Sequence, residues 1–588
     1  MPKLNTRLCR TFIIALNFIV VSAVAQNQQR KIPAENSADA IRAPYIQTLG
    51  KPNHWVDSVY HKMSRRQRVA QLIFVRAHTN KGPRYEDSVG RIIKELEVGG
   101  LVFFQGGPGR QLNLINKYQK ITKVPLLIAM DGEWGLGMRL DSTISYPYQM
   151  TLGAIQDNTL IYKMGQQVAY DFKRIGMQLN FGPDMDINNN PNNPVINYRS
   201  FGDNMYNVAK KGIAYFTGMQ ASGLLTTAKH FPGHGDTNVD SHFDLPLLPY
   251  SRARLDSLEE YPFREAVNAG ISGVMIAHMS IPALDSTKNL PSTLSRPIVT
   301  GMLKDSLRFK GLVVSDAMEM KGVTKYFPNG DADVRAFIAG NDIIELSENS
   351  ERAIKLIRKA VRRGQISPEE FEAKVKKVLA AKYWAGLNQY KSASPVNLSE
   401  DLNRQPAKEL VQQLSDASVT LIKGDAATVK LNPFLKTAIL SIGVSSPTVF
   451  QQEAARSFPN SKIFMVDKNT PAIELKNILG LLNQYQQIIV GVHDTRLRPQ
   501  SKLDYTSDVK LMIADLASRK NTVISVFANA YTIAGLPGIE KSNALLVCYQ
   551  MSPELQKSAV KVIAGVLKPT GKLPVSVNTF FTTGTGMQ

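Results

Sequence analysis

The chain has 588 residues, 43% of them hydrophobic and 20% charged, with a formal charge of +21. That length exceeds what one hydrophobic core serves and predicts two or three domains, and the composition excludes a chain dominated by disorder. The charge suits nucleic acid, an anionic membrane surface or an acidic polymer, but no nucleic-acid motif accompanies it. It is read as solubility with a general attraction to polyanions, and no nucleic-acid partner is expected.

Residues 1–25 read as a secretory signal. Lys3, Arg7 and Arg10 precede a mostly apolar stretch over 11–21, and Ala23-Val24-Ala25 forms an A-x-A cleavage site. The expected product is exported, periplasmic or extracellular. Cleavage would remove Cys9 and leave Cys548 as the one remaining cysteine, so no intramolecular disulfide is expected. No other run reaches the roughly 18 apolar residues needed to span a bilayer, so no integral membrane segment should remain. Residues 26–52 read as a polar leader.

Over residues 53–386, apolar runs alternate with helical periodicity in the manner of a (β/α)8 TIM-like barrel. Predicted strands fall at 71–75, 99–104, 125–130, 178–181, 224–229, 273–277, 311–315 and 342–345. Predicted helices fall at 160–175, 208–221, 252–269 and 296–307. The ends of the strands carry polar residues: His78, Gln105, Asp131, Asp184, Asp186, Lys229, His230, His278 and Asp316. In barrel enzymes that rim is where chemistry is assembled.

Residues 387–400 turn to Ser, Pro, Asn and Lys and read as a linker. Over 401–588, apolar runs at 438–442, 462–466, 488–492, 522–527 and 544–548 alternate with helices near 475–482, 509–517 and 553–567. That pattern predicts a doubly wound α/β sandwich domain. His493 and Asp494 follow one of these runs and are read as loop residues. Neither a dinucleotide-binding glycine motif nor a P-loop is present, and no cofactor is expected.

The densest chemistry lies in KHFPGHGDTNVDSHFDLP, from Lys229 to Pro246. Pro232, Gly233 and Gly235 rule out a regular helix, so His230 and His234 are not a helical metal pair. An Asp two residues before a His can fold back and accept its ring N–H, so Asp240 and His242 form a candidate acid/base pair. Polar loop chemistry is the plain alternative, and zinc on His230, His234 and His242 a further one, without H-E-x-x-H or a nearby Cys to support it. Asp316 follows buried Val313 and Val314 in VVSDAMEM. It could attack an anomeric carbon or merely cap the next segment.

The whole string resembles the signature K-H-[FI]-P-G-H-G-x4-D-S-H-x3-P of the β-N-acetylglucosaminidases in glycoside hydrolase family 3, and every fixed position is met. The resemblance implies that His242 is the general acid/base, with Asp240 as its partner. It likewise implies that Asp316 is the nucleophile, since S-D ends the seventh predicted strand. IAMDGEWGLGMRL resembles the family's D-x-E-x-G stretch, which implies sugar contacts by Asp131 and Arg139; it departs from the commoner D-Q-E-G-G-R form at Gly132, Trp134 and Leu136. NFGPDMDINNNPNNPVINYRSFG resembles another family stretch and carries over Arg199, while Lys229 and His230 carry over by the first signature. LKPTGKLPVSV resembles the closing motif of the family's second domain.

The expectation is a retaining exo-β-N-acetylglucosaminidase acting on a GlcNAc-containing glycan or muropeptide, without metal. The rivals are a β-glucosidase of the same family and a catalytically silent wall-binding protein.

Overall fold

The computed structural model describes residues 44–587. The signal expectation and residues 26–43 of the leader fall outside it. The rest of the leader is ordered on the barrel: Tyr45, in the helix Tyr45–Thr48, is buried edge-on against Trp384 and donates to the Lys377 carbonyl at 3.0 Å.

All eight predicted barrel strands form: β1 Ile73–Ala77, β2 Gly100–Phe103, β3 Leu127–Met130, β4 Leu179–Asn180, β5 Leu225–Phe231, β6 Gly273–Ile276, β7 Leu312–Ser315 and β8 Ile344–Glu345. They pair in parallel in sequential order, with β8 beside β1. The barrel closes where Val314 bridges Ile343 and the Glu345 N–H donates to Ser315 Oγ at 2.9 Å. The strands are short and buried on both faces, which is why they appear in the sequence as apolar runs instead of alternating ones.

Two predicted helices, Asn158–Arg174 and Met205–Ala221, form nearly as expected. The helix predicted over 252–269 is instead two, Arg252–Ser257 and Tyr261–Asn268. Pro262 lacks the N–H an interior position needs, and sits at the start of the second helix, where none is required. The segment Pro297–Ser306 is wound as a π-helix. The stretch read as a linker is fastened to the barrel: Arg174 donates to the carbonyls of Ser394 and Val396, each at 2.7 Å, and pairs with Asp401 at 2.8 Å.

The second sheet has six strands where five were expected: β9 Thr420–Lys423, β10 Thr437–Ile442, β11 Ser461–Val466, β12 Gln487–His493, β13 Thr522–Phe527 and β14 Ala544–Val547. Their order is β11-β10-β12-β13-β14-β9, parallel except for β9, which runs antiparallel to β14 at the edge. Separate apolar clusters cover its two faces, as a doubly wound sheet requires. One of them includes Met150 and Ala154, from the short helix Gln149–Gly153 and its cap in the barrel segment. His493 and Asp494 belong to this second body. His493 stacks on Phe527 at 4.9 Å and bonds Ser441, and Asp494 pairs with Arg496.

Candidate active site

The ends of β3, β4 and β5 hold a buried lattice of opposite charges. Asp131 and Glu133 follow β3. Lys229 and His230 lie near the end of β5, which continues to Phe231 instead of ending at Lys229. Lys229 Nζ reaches Asp131 Oδ1 and Glu133 Oε1, both at 2.8 Å. Arg139 closes on the other oxygen of Asp131 at 2.8 Å. Arg199 grips Glu133 through Nε at 3.0 Å and Nη2 at 2.7 Å. The five residues carried over as sugar contacts, Asp131, Arg139, Arg199, Lys229 and His230, thus sit in one network.

Burial pushes the Glu133 carboxyl up, but the Arg199 and Lys229 cations outweigh it and hold the group at about 2. The same competition, won by Lys229 and Arg139, holds Asp131 well below the usual carboxylate range. Burial lowers Lys229, yet its two carboxylates keep it above the ordinary lysine value. Each charge is fixed in place before any ligand arrives, the condition for preorganised recognition.

Asp186 folds the histidine loop. Its carboxylate accepts the His230 Nδ1–H at 2.7 Å and the backbone N–H groups of His230 at 3.2 Å and His234 at 2.6 Å. With Nδ1 protonated, His230 turns Nε2 toward Arg199 at 3.4 Å. The loop can come so close because Gly233 adopts φ 133° and Gly235 has no side chain: a Cβ there would lie 1.7 Å from the Ile187 carbonyl oxygen.

Asp184, Asp186 and His230 lie close enough to bind a cation by composition. The Asp186 oxygens, however, already receive three N–H donors, and the Arg199 guanidinium stands 3.8 Å from Asp184 Oδ2. This donor set is that of a hydrogen-bonded brace. Burial and the Asp186 charge push Asp184 well above the usual carboxylate range, against the pull of Arg199. The zinc alternative gains no geometry: among the described residues neither His234 nor His242 joins a metal-like cluster.

Asp316 follows β7, its backbone N–H donating to Ile276 O at 3.0 Å. Its Oδ1 accepts from the Ala317 N–H at 2.7 Å. Burial raises its pKa, but the attraction of His278 and His230, with Ala317 and His242, holds it below the usual value. Asp316 is therefore an anion. His278, buried just beyond the end of the neighbouring β6, donates its Nε2–H to the Ala317 carbonyl at 3.1 Å and steadies this turn.

Asp240 and His242 stand on the loop beyond β5. Asp240 Oδ1 accepts both the His242 N–H and its Nδ1–H, each at 2.8 Å. The imidazole keeps 65% of its side chain open, and its Nε2 makes no hydrogen bond among the described residues. Tied at Nδ1 and free at Nε2, it can carry a proton to and from a bound molecule.

Neither the role of Glu133 nor the bracing by Asp184 and Asp186 is marked by local sequence. Glu133 is the E of D-x-E-x-G, and the two aspartates were placed on the rim without a role.

Residues 64–381 match the family profile described as glycosyl hydrolase family 3 N terminal domain. The chain is 26% identical to beta-hexosaminidase A of Pseudoalteromonas piscicida, over 83% of this chain and 91% of that one. It is also 26% identical to a beta-N-acetylglucosaminidase/beta-glucosidase of Cellulomonas fimi, over 89% and 95%. Among solved structures, a glycoside hydrolase family 3 beta-N-acetylglucosaminidase from Paenibacillus sp. str. FPU-7 superposes with a TM-score of 0.74 at 30% identity, covering 88% of this chain and 99% of that one. With its barrel, its charged rim and these likenesses together, the chain belongs to glycoside hydrolase family 3.

Proposed function

We propose that this glycoside hydrolase is an exported, retaining exo-β-N-acetylglucosaminidase that releases terminal GlcNAc from peptidoglycan-derived fragments. The observation that carries the mechanism is the pair Asp240–His242, fixed at 2.8 Å on a loop whose imidazole charge is felt by the Asp316 carboxylate. Asp316 attacks the anomeric carbon while the His242 imidazolium gives its Nε2 proton to the departing oxygen, leaving a glycosyl ester on Asp316. The neutral imidazole then takes a proton from water as that water attacks the same carbon and frees the carboxylate, returning the starting configuration. Asp131, Arg139, Arg199, Lys229 and His230 present ionic donors and acceptors to the sugar hydroxyls.

The names of the relatives from Pseudoalteromonas and Paenibacillus support the GlcNAc preference. The Cellulomonas relative carries both activities in its name and favours a second reading, a β-glucosidase. Export rests on the signal-like sequence of residues 1–25; among the described residues no helix is long and apolar enough to cross a membrane.

The test is twofold. Nitrophenyl β-GlcNAc should be turned over faster than the β-glucoside, because a polar site built around the acetamido group leaves donors unpaired when it is missing. Equal kcat/KM values would count decisively against the preference, and no turnover of either would favour the silent wall-binding protein. A 2-fluoro glycosyl fluoride should label Asp316, and a label on another carboxylate would overturn its role as nucleophile.

A further inference from the structure

Glu345 ends β8 and has no part in the mechanism above. It is only 3% exposed, its Oε2 is wholly enclosed without a hydrogen-bond partner, and neither carboxyl oxygen is bonded among the described residues. Its backbone is pinned on both sides: the N–H donates to Ser315 Oγ at 2.9 Å, and the carbonyl accepts from the Met318 N–H at 2.9 Å. The side chain is thus held between β7, which delivers Asp316, and β1, where Phe74 is its register partner. The charges that act on it are Asp131 beyond β3, Asp316 beyond β7, Lys229 on β5 and Arg76 on β1, which together ring the barrel mouth.

A carboxyl group in that setting favours its neutral form, which can donate a hydrogen bond. Burial, then the charges of Asp131 and Asp316, push it well above the usual carboxylate range, against the pull of Lys229 and Arg76. Among the described residues its Oε2 has no hydrogen-bond partner. A buried, unpaired polar group is costly, so it persists where a ligand completes it.

We propose that Glu345 is a specificity-determining residue of the glycone pocket, its carboxyl group donating a hydrogen bond to a ring hydroxyl of the sugar held between Asp316 and Asp131. The ligand atom is a neutral oxygen, since a carboxylate or phosphate there would face Asp131 and Asp316. The glycone is the bound part because Asp316 marks the anomeric carbon in the reading given above, on which this inference rests, and the aglycone departs toward His242.

The experiment compares wild type, E345Q and E345A on nitrophenyl β-GlcNAc and its 3-, 4- and 6-deoxy analogues. E345A should lower kcat/KM on the parent glycoside about tenfold, the size of one lost hydrogen bond in a buried site. E345Q, which keeps an N–H donor, should stay within about threefold of wild type. One deoxy analogue, already slow with the wild type, should be turned over equally by wild type and E345A, and it identifies the hydroxyl. If E345A slows all four glycosides by one common factor, or leaves the parent unaffected, the proposal is overturned. Should E345A fail to fold, E345L fills the same space without polar atoms and takes its place. Should the glucoside prove the better substrate, the GlcNAc preference falls, and the same deoxy series in the gluco configuration reads Glu345 independently.

Discussion

At the scale of single residues, the proposed chemistry divides between a buried anion and an exposed base. Most glycosidases use a carboxylic acid where this chain offers His242. If the imidazole protonates the leaving group, His242→Ala should lower kcat by a factor of about 10²–10⁴ for poor leaving groups. The loss should shrink for a dinitrophenolate that departs without a proton. A plot of log kcat/KM against leaving-group pKa should therefore be steeper for the variant; parallel lines would reduce His242 to a loop stabiliser. Glu133 makes a different prediction. Its neutral replacement Glu133→Gln leaves Lys229 and Arg199 short of a buried counter-charge, which should cost about 3–5 kcal/mol in urea unfolding at pH 7. Because the folded pKa lies near 2, below the unfolded value of about 4.3, this contribution is fully present above the unfolded value and is lost as pH falls toward 2. The gap between variant and wild type should accordingly narrow in acid, and a pH-independent gap would show that packing, not charge, causes it.

At the scale of elements, the loop from His230 to His242 depends on close backbone contact. Gly235→Ala would drive a Cβ against the Ile187 carbonyl and displace the N–H of His234 from Asp186. We expect a loss of about 2 kcal/mol or more in stability and a larger fall in kcat/KM than the shift in Tm alone implies; wild-type kinetics in this variant would contradict the contact. The loop was legible in the sequence because its glycines and histidines are contiguous, and the eight barrel strands were legible because each is a short apolar run between helices. The antiparallel β9 was not legible, since Thr420–Lys423 follows the helix Gln405–Ser418 after a single residue and its apolar residues read as a continuation of that helix. Pro262 could have signalled the broken helix. Glu133 was missed for a physical reason: its partner Arg199 is 66 residues away in sequence, and only the closed barrel makes them neighbours. Glu345 carries even less local signal, being a single acid at the end of an apolar run.

At the scale of the whole molecule, the second body braces the loops that carry the charges of the site. Tyr531 Oη donates to the Asn188 carbonyl at 3.0 Å, just beyond Asp186. Gln550 Oε1 accepts from the Tyr148 N–H at 2.8 Å and from Thr151 Oγ1 at 2.9 Å, on the segment that follows Arg139. The Lys572 N–H donates to Ala154 O at 2.9 Å, and the Asp203 N–H to Pro574 O at 3.1 Å. With Met150 and Ala154 inside the second body's apolar cluster, unfolding of the second sheet would expose apolar side chains of the barrel segment as well. Two-domain chains often unfold in separate steps. Here scanning calorimetry should give one transition, and Gln550→Ala, which strands the Tyr148 N–H and the Thr151 hydroxyl, should move that whole transition down by an amount corresponding to about 1–3 kcal/mol. The same variant should raise KM more than it lowers kcat, because the loop after β3 loses its support while Asp316, on the opposite arc of the barrel, keeps its own. Two resolved transitions, with only one shifted by the substitution, would mean that the bodies fold independently and that the second sheet does not stiffen the site.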